Sequence, residues 1–126
     1  MGFKIIKTKA SDNFPSDSWI LDMFEGWFDP CPLNPDPSFD GLAIEWKDKT
    51  YVNPPYSEPL KWVLKGIDEH KRGKTIVFLL KNDSSTKWYR ALHEAGAYFL
   101  MIQGRLRYGS GKPAPFPSII AVLSKE

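Results

Sequence analysis

Thr75-Ile76-Val77-Phe78-Leu79-Leu80 is the feature that most restricts what this chain can fold into. After its threonine it is wholly apolar, yet it is too short for a helix. It reads as a strand buried on both faces, the mark of a sheet with helices packed over it. The residues on either side supply those helices. Leu60, Val63, Leu64 and Ile67 fall at i, i+3, i+4 and i+7, with Ser57 as N-cap, Pro59 in the first turn and Arg72-Gly73 as the stop. Ser84 or Ser85 caps a second helix whose inner face is Trp88, Leu92 and Ala95, ended by Gly96. Thr50-Tyr51-Val52 is β-prone. Residues 98–102 predict a strand that 105–108 prolong, 109–117 a loop, and 118–123 the last strand. Strand–helix–strand–helix–strand–strand predicts an α/β fold with helices on both faces. Its sheet is mostly parallel, parallel in the middle and closed by a C-terminal antiparallel hairpin.

The amino-terminal third is less regular. Residues 16–25 predict a short helix, capped by Ser16 or Asp17 and stopped at Gly26. Trp27-Phe28-Asp29 is an apolar burst ending in an acid. Four prolines follow in residues 30–37, and each removes an amide donor and fixes φ, so the segment is expected to be a stiff extended loop. Residues 42–46 are weakly strand-like, and 47–49 form a turn.

With 126 residues, 42% hydrophobic and 25% charged, the chain fits one soluble domain, 1–126. The longest apolar runs, 76–80 and 119–123, are far short of the roughly 20 residues of a membrane span. The first residues carry no secretory leader pattern. A lone Cys31 suits a reducing, cytoplasmic setting. Two histidines and one thiol leave little from which to build a zinc site or a nucleophile–His–acid triad, so no metal is expected. Charge is split along the chain. Residues 1–60 carry five Lys against ten acids, a net of −5, and residues 61–126 carry twelve Lys or Arg against five acids, a net of +7. That basic back is suited to a polyanion.

Asn53-Pro54-Pro55-Tyr56 follows directly on a predicted strand, and ligand sites of α/β sheets lie at the carboxyl ends of strands. Here the chain resembles the amino-methyltransferases that use S-adenosylmethionine, whose signature is [Asn/Asp/Ser]-Pro-Pro-[Tyr/Phe/Trp]. Asp29-Pro30-Cys31-Pro32, Asp40-Gly41-Leu42, Trp46, the 51–57 run, Leu79 to Trp88, Gly104-Arg105-Leu106-Arg107-Tyr108 and Pro115-Phe116-Pro117-Ser118 narrow this. Together they resemble the phage-type DNA N6-adenine methyltransferases over residues 14–123. The resemblance implies a single minimal methyltransferase domain with a reduced Rossmann-like sheet. It also implies methyl transfer from S-adenosylmethionine to N6 of a flipped adenine in DNA. Asn53, Pro54, Pro55 and Tyr56 would be the catalytic residues. Asp29, Pro30 and Cys31, with Phe14, Pro15, Asp40 and Asn53, would hold the cofactor. Only 23 residues separate Asp29 from Asn53, where the fuller fold has two more strands and an acid for the ribose. Asp36 or Asp40 substitutes for that acid, or the ribose is held otherwise.

The expected chemistry needs no metal and no strong base. An exocyclic amine is a poor nucleophile because its lone pair is delocalised into the ring. If the Asn53 side-chain oxygen and the Pro54 carbonyl accept its two N–H groups, the nitrogen pyramidalises and the lone pair is freed. Tyr56 would stack on the base. For DNA, the candidates are Lys81, Asn82, Ser84, Ser85 and Lys87 after the buried strand, and Arg105, Arg107 and Lys112 near the hairpin. Arg105 and Arg107 alternate along the predicted strand and so share a face. The missing sheet flank beyond residues 27–29 predicts a homodimer. Other readings are an RNA-adenine or protein-glutamine amino-methyltransferase, or a non-catalytic nucleic-acid-binding relative.

Overall fold

The central strand lies where its apolar run requires, with a helical layer on each side. The computed structural model describes residues 17–33, 35–107 and 112–125. In chain order the elements are α1 (Ser18–Met23), β1 (Lys49–Val52), α2 (Pro59–Lys71), β2 (Thr75–Lys81), α3 (Lys87–Glu94), β3 (Tyr98–Met101) and β4 (Ser118–Leu123). Alternation along β2 divides the interior. Ile76, Phe78 and Leu80 join Trp62 and Val63 of α2 and Trp88 and Leu92 of α3. Val77 and Leu79 join Ile20 of α1, Tyr51, Leu106 and Ile120.

The open four-stranded sheet has the order β1-β2-β4-β3. β1 and β2 are parallel, with Val52 beside Phe78. β4 is antiparallel to both neighbours, placing Ala121 between Phe78 and Phe99. The expected terminal hairpin is present, but its second strand enters the sheet interior instead of closing the edge. Two of the three ladders are therefore antiparallel, although β1, β2 and β3 share one direction. Burial explains the order. β4 is buried along its length apart from half-buried Val122, whereas Tyr98, Leu100 and Met101 of β3 are exposed and tolerate an edge. Ahead of β1, Phe28 makes one parallel bridge to Thr50: its N–H donates to the Lys49 carbonyl (3.0 Å) and its carbonyl accepts from Tyr51 N–H (2.8 Å).

Several local expectations are corrected. Residues 42–46 form turns and bends, not a strand. Asp40 accepts the Leu42 N–H (3.0 Å), the Trp46 indole donates to the Gly41 carbonyl (2.8 Å), and a Cβ on Gly41 would lie 1.8 Å from the Pro30 carbonyl oxygen. Glu58, not Ser57, is the N-cap of α2 because Pro59 takes the first helical position. Thr86, not Ser84 or Ser85, caps α3 by accepting from Tyr89 N–H (3.3 Å). The inner face of α2 is rotated from the expected one: Leu64 is exposed, and Gly66 is buried against Phe78. A Cβ at Gly66 would meet the Phe78 ring at 2.3 Å, so glycine lets helix and strand approach. Asp17 is the N-cap of α1, but its side chain makes no cap bond there. Residues 105–107 do not prolong β3. Gly104 turns the chain at φ +76°, and Arg107 makes one isolated bridge to Pro113. Ser16, Tyr108 and the start of the 109–117 loop lie outside the described residues.

A buried ion cluster joins α2, β2 and the segment before β1. Glu69 accepts from Lys74 (2.5 Å) and Lys65 (2.9 Å), and Lys74 also reaches Glu45 (3.0 Å). Burial pushes the Glu69 carboxyl up, but hydrogen bonds from Lys74, Lys65 and the Trp46 amide outweigh it and hold it below its ordinary value. Burial likewise opposes the Lys74 charge, and its two carboxylates raise its pKa in spite of that.

Candidate active site

Direction fixes where chemistry can gather. β1, β2 and β3 share a direction, so the turns after β1 and β2, the chain leaving β3 and the entry to β4 meet at one edge of the sheet. Asn53, half-buried, follows β1 directly. Pro54 is buried, Pro55 and Tyr56 are half-buried, and the turn is closed by Glu58 N–H on the Pro55 carbonyl (3.3 Å). The two prolines remove donors and stiffen this corner.

The groove in front of it has a volume of about 340 Å³. Pro54 and Tyr56 line it from the turn after β1, Lys81, Asp83, Thr86 and Trp88 from the end of β2 to α3, and Phe116 from the entry to β4. Phe116 meets Tyr56 edge-to-face with centroids 4.5 Å apart, and Lys81 Nζ lies 5.7 Å from the centre of the Phe116 ring. Asn82 N–H donates to the Pro117 carbonyl (2.9 Å), which ties Phe116 to the end of β2. Asp83 is fixed by the Ser85 hydroxyl (2.6 Å) and amide (3.1 Å), which hold its carboxyl below the ordinary value. Tyr56, Trp88 and Phe116 thus give the groove an aromatic lining, with Lys81 and Asp83 as its charged members.

Asp29 lies at the same carboxyl edge, one strand away from Asn53 through the Phe28–Thr50 bridge. Its carboxylate accepts the Cys31 N–H (2.9 Å). Though the residue retains solvent exposure, burial of its carboxyl raises the pKa, against the lowering effect of that amide. Pro30 is buried, and Cys31 packs against the α2–α3 core as a small apolar group. Asp40 is exposed and one oxygen serves its own turn; Asp36 likewise holds Ser38, by amide (2.8 Å) and hydroxyl (2.7 Å). Phe14 and Pro15 lie outside the described residues.

Of the proposed nucleic-acid contacts, Lys81, Asn82, Ser84, Ser85 and Lys87 all sit between β2 and the first turn of α3, beside the groove. Arg105, Arg107 and Lys112 lie in the connection that leaves β3 and returns to β4 at the same edge, and all three are exposed. Arg105 turns back to the Ala114 carbonyl (3.4 Å), so the shared strand face expected for it and Arg107 is replaced by a folded loop. Phe116, Asp83, Thr86 and Trp88 have no functional role assigned by sequence pattern. The one signal for them is an aromatic between two prolines and an Asp-Ser-Ser-Thr turn.

A wider, open depression of about 650 Å³, lined by Gly26, Phe28, Lys47, Asp48 and Lys49, lies at the amino ends of the strands. It is on the wrong edge for Asn53, and α/β sheets place ligands at the carboxyl ends. Among the described residues, no group of three or more His, Cys, Asp or Glu is arranged to hold a metal ion. No helix among them is long and apolar enough to cross a membrane.

Comparison with known proteins identifies the family. The protein-family model described as DNA N-6-adenine-methyltransferase (Dam) matches residues 22–117, which include Asp29, the Asn53–Tyr56 corner and Phe116. A protein named DNA N-6-adenine-methyltransferase from Haemophilus phage HP1 (strain HP1c1) is 32% identical over 100 residues, covering 65% of this chain and 58% of the relative. The chain thus spans somewhat over half the length of that curated relative. No solved structure matches significantly.

Proposed function

The chain belongs to the DNA N-6-adenine-methyltransferase family, and from that premise we propose that it transfers a methyl group from S-adenosylmethionine to N6 of an adenine in DNA. The observation that carries this reading is the Asn53–Tyr56 corner at the carboxyl edge of the sheet: its Pro54 and Tyr56 line the groove, and Asp29 lies at the same edge one bridge away. In this reading the sheet is a reduced Rossmann-like methyltransferase sheet. Phe28 stands for its first strand, and the connection to β1 is cut to one irregular segment. The enzyme is site-specific and cytoplasmic.

The donor set fits the cofactor at one end. Asp29 offers a carboxylate for the cationic amino-acid portion, beside Pro30 and Cys31, and Asp40 or Asp36 lies in the segment available for the ribose. When bound, S-adenosylmethionine supplies an electrophilic methyl group. The chain's own residues prepare the nucleophile. The Asn53 side-chain oxygen and the Pro54 carbonyl accept the adenine N–H groups and return the lone pair to nitrogen. Tyr56 stacks on the extruded base, with Phe116 closing the groove. Lys81, Lys87, Arg105, Arg107 and Lys112 take phosphates, and Asn82, Ser84 and Ser85 hydrogen-bond to the nucleic acid. Catalysis is thus positioning and electrostatics.

Incubation with labelled S-adenosylmethionine and DNA, RNA or no nucleic acid tests this: label should enter DNA alone. Transfer to RNA alone, or to neither, refutes it. Asp29→Ala should weaken cofactor binding about tenfold, as expected for loss of one charge-assisted contact, measured by calorimetry. In the native protein that affinity should fade on acidification at a higher pH than for an ordinary aspartate, because the contact needs the ionised carboxylate and burial raises its pKa.

The active species in this reading is a homodimer. Among the described residues no strand lies beyond Phe28, and Leu33 and Ile44 on the adjoining segment are exposed. Sedimentation equilibrium should give about twice 14.4 kDa; the monomer mass in the presence of DNA and cofactor would exclude the dimer.

A further inference from the structure

Asp17 occupies the N-cap of α1, where an aspartate ordinarily accepts a hydrogen bond from its own helix. It makes no such bond, and its Oδ2 instead accepts the backbone N–H of Arg107 at 2.8 Å, ninety residues away. The donor lies in the connection between β3 and β4. Leu106 is buried in the same cluster as Ile20 of α1. The Leu106 carbonyl accepts from Ala114 N–H (2.7 Å), and Arg107 bridges Pro113. The loop carrying Arg105 and Arg107 is therefore clamped from below by Leu106 and across by Ala114. At Arg107 it is held by Asp17. α1 runs from this edge towards Gly26, at the other end of the sheet, so the clamp stands on the same side as Asn53.

We propose that Asp17 is a positioning residue for DNA binding: its carboxylate fixes the Arg107 backbone so that the arginines of this loop meet phosphates in a preset geometry. The inference rests on the reading that this loop faces DNA. Its energetic basis is preorganisation, because a loop already ordered loses less freedom when its long side chains are immobilised. Bare charge counting gives the opposite sign. Removing an anion from a DNA-facing edge strengthens attraction to phosphate, whereas removing a clamp weakens binding.

The test is steady-state kinetics on the full chain with duplex DNA, comparing wild type, Asp17→Ala, Asp17→Asn and the double variant Arg105→Ala/Arg107→Ala. Asp17→Ala should raise the KM for DNA about three- to tenfold, the scale of one charge-assisted hydrogen bond partly exposed to water, with kcat unchanged. Asparagine keeps an acceptor oxygen, so Asp17→Asn should return KM to the wild-type value or below it. Cofactor affinity should match wild type in both, and the melting temperature of Asp17→Ala should fall by no more than the few degrees one partly exposed hydrogen bond is worth. An unchanged or lowered KM in Asp17→Ala, with the double arginine variant still impaired, overturns the role of Asp17 while leaving the loop as a DNA contact. A double variant with wild-type KM overturns the DNA-facing reading itself. A loss confined to kcat or to melting temperature in Asp17→Ala shows a structural role and also refutes the proposal.

Discussion

Asn53→Ala should lower turnover by about 10²–10³-fold, the usual loss when one preorganised polar contact to the developing charge is removed. Its cofactor affinity should stay close to that of the native protein. The reasoning is that the amide oxygen of Asn53 binds the reacting nitrogen most strongly once its lone pair is localised, so the contact matters in the transition state and little before it. Asp29 is assigned the contrasting role, with a cofactor contact made before chemistry begins. Single-turnover rates and calorimetry on both variants separate the two roles. Equal loss of cofactor affinity in both would show that the assignment is wrong. A normal single-turnover rate in Asn53→Ala would remove Asn53 from the chemistry.

The second large effect concerns stability. Glu69→Ala should destabilise the fold by about 3 kcal/mol, the low end for breaking a buried ion pair, because Lys74 keeps Glu45 as a partner. For a domain of this size that lowers the melting temperature by roughly 10 °C. The pH dependence follows from the two directions of shift. Glu69 is held below its ordinary 4.5, so its contribution is complete above that value and disappears as the pH falls through the folded pKa. Lys74 is held above its ordinary 10.5, so its contribution is complete below that value and is lost as the pH rises through the folded pKa. The native protein should therefore hold a plateau across the neutral range, which Glu69→Ala lowers. Thermal melts at several pH values measure it, and an unchanged melting temperature in the variant would mean the cluster contributes nothing net.

Much of the fold is legible in local sequence pattern. The six successive elements from β1 to β4 follow from helical periodicity, apolar or β-prone runs and turn residues, and β4 coincides with its apolar run. What periodicity does not encode is strand order. The insertion of β4 between β2 and β3 depends on which strand has two apolar faces, a comparison across the chain instead of along it. Gly66 is silent in the sequence for a related reason: its importance lies in the Phe78 ring that occupies the place of its side chain. The helix caps differ from expectation because Pro59 fixes one start and because Asp83 engages Ser85, leaving Thr86 to cap α3. At the site, the Asn53–Tyr56 corner is readable because its chemistry is carried by four consecutive residues. The opposite side is not, since Phe116 reaches the local Asp83, Thr86 and Trp88 segment only through the β2–β4 pairing. Asp17 has the local pattern of a helix cap, and only the folded chain shows it holding Arg107.

The most direct measurement is mass spectrometry of nucleosides from DNA that has been incubated with the protein and S-adenosylmethionine. The account predicts N6-methyladenine from the native protein, and almost none from Asn53→Ala. N4-methylcytosine in its place, or no methylated base at all from the folded native protein, would contradict it.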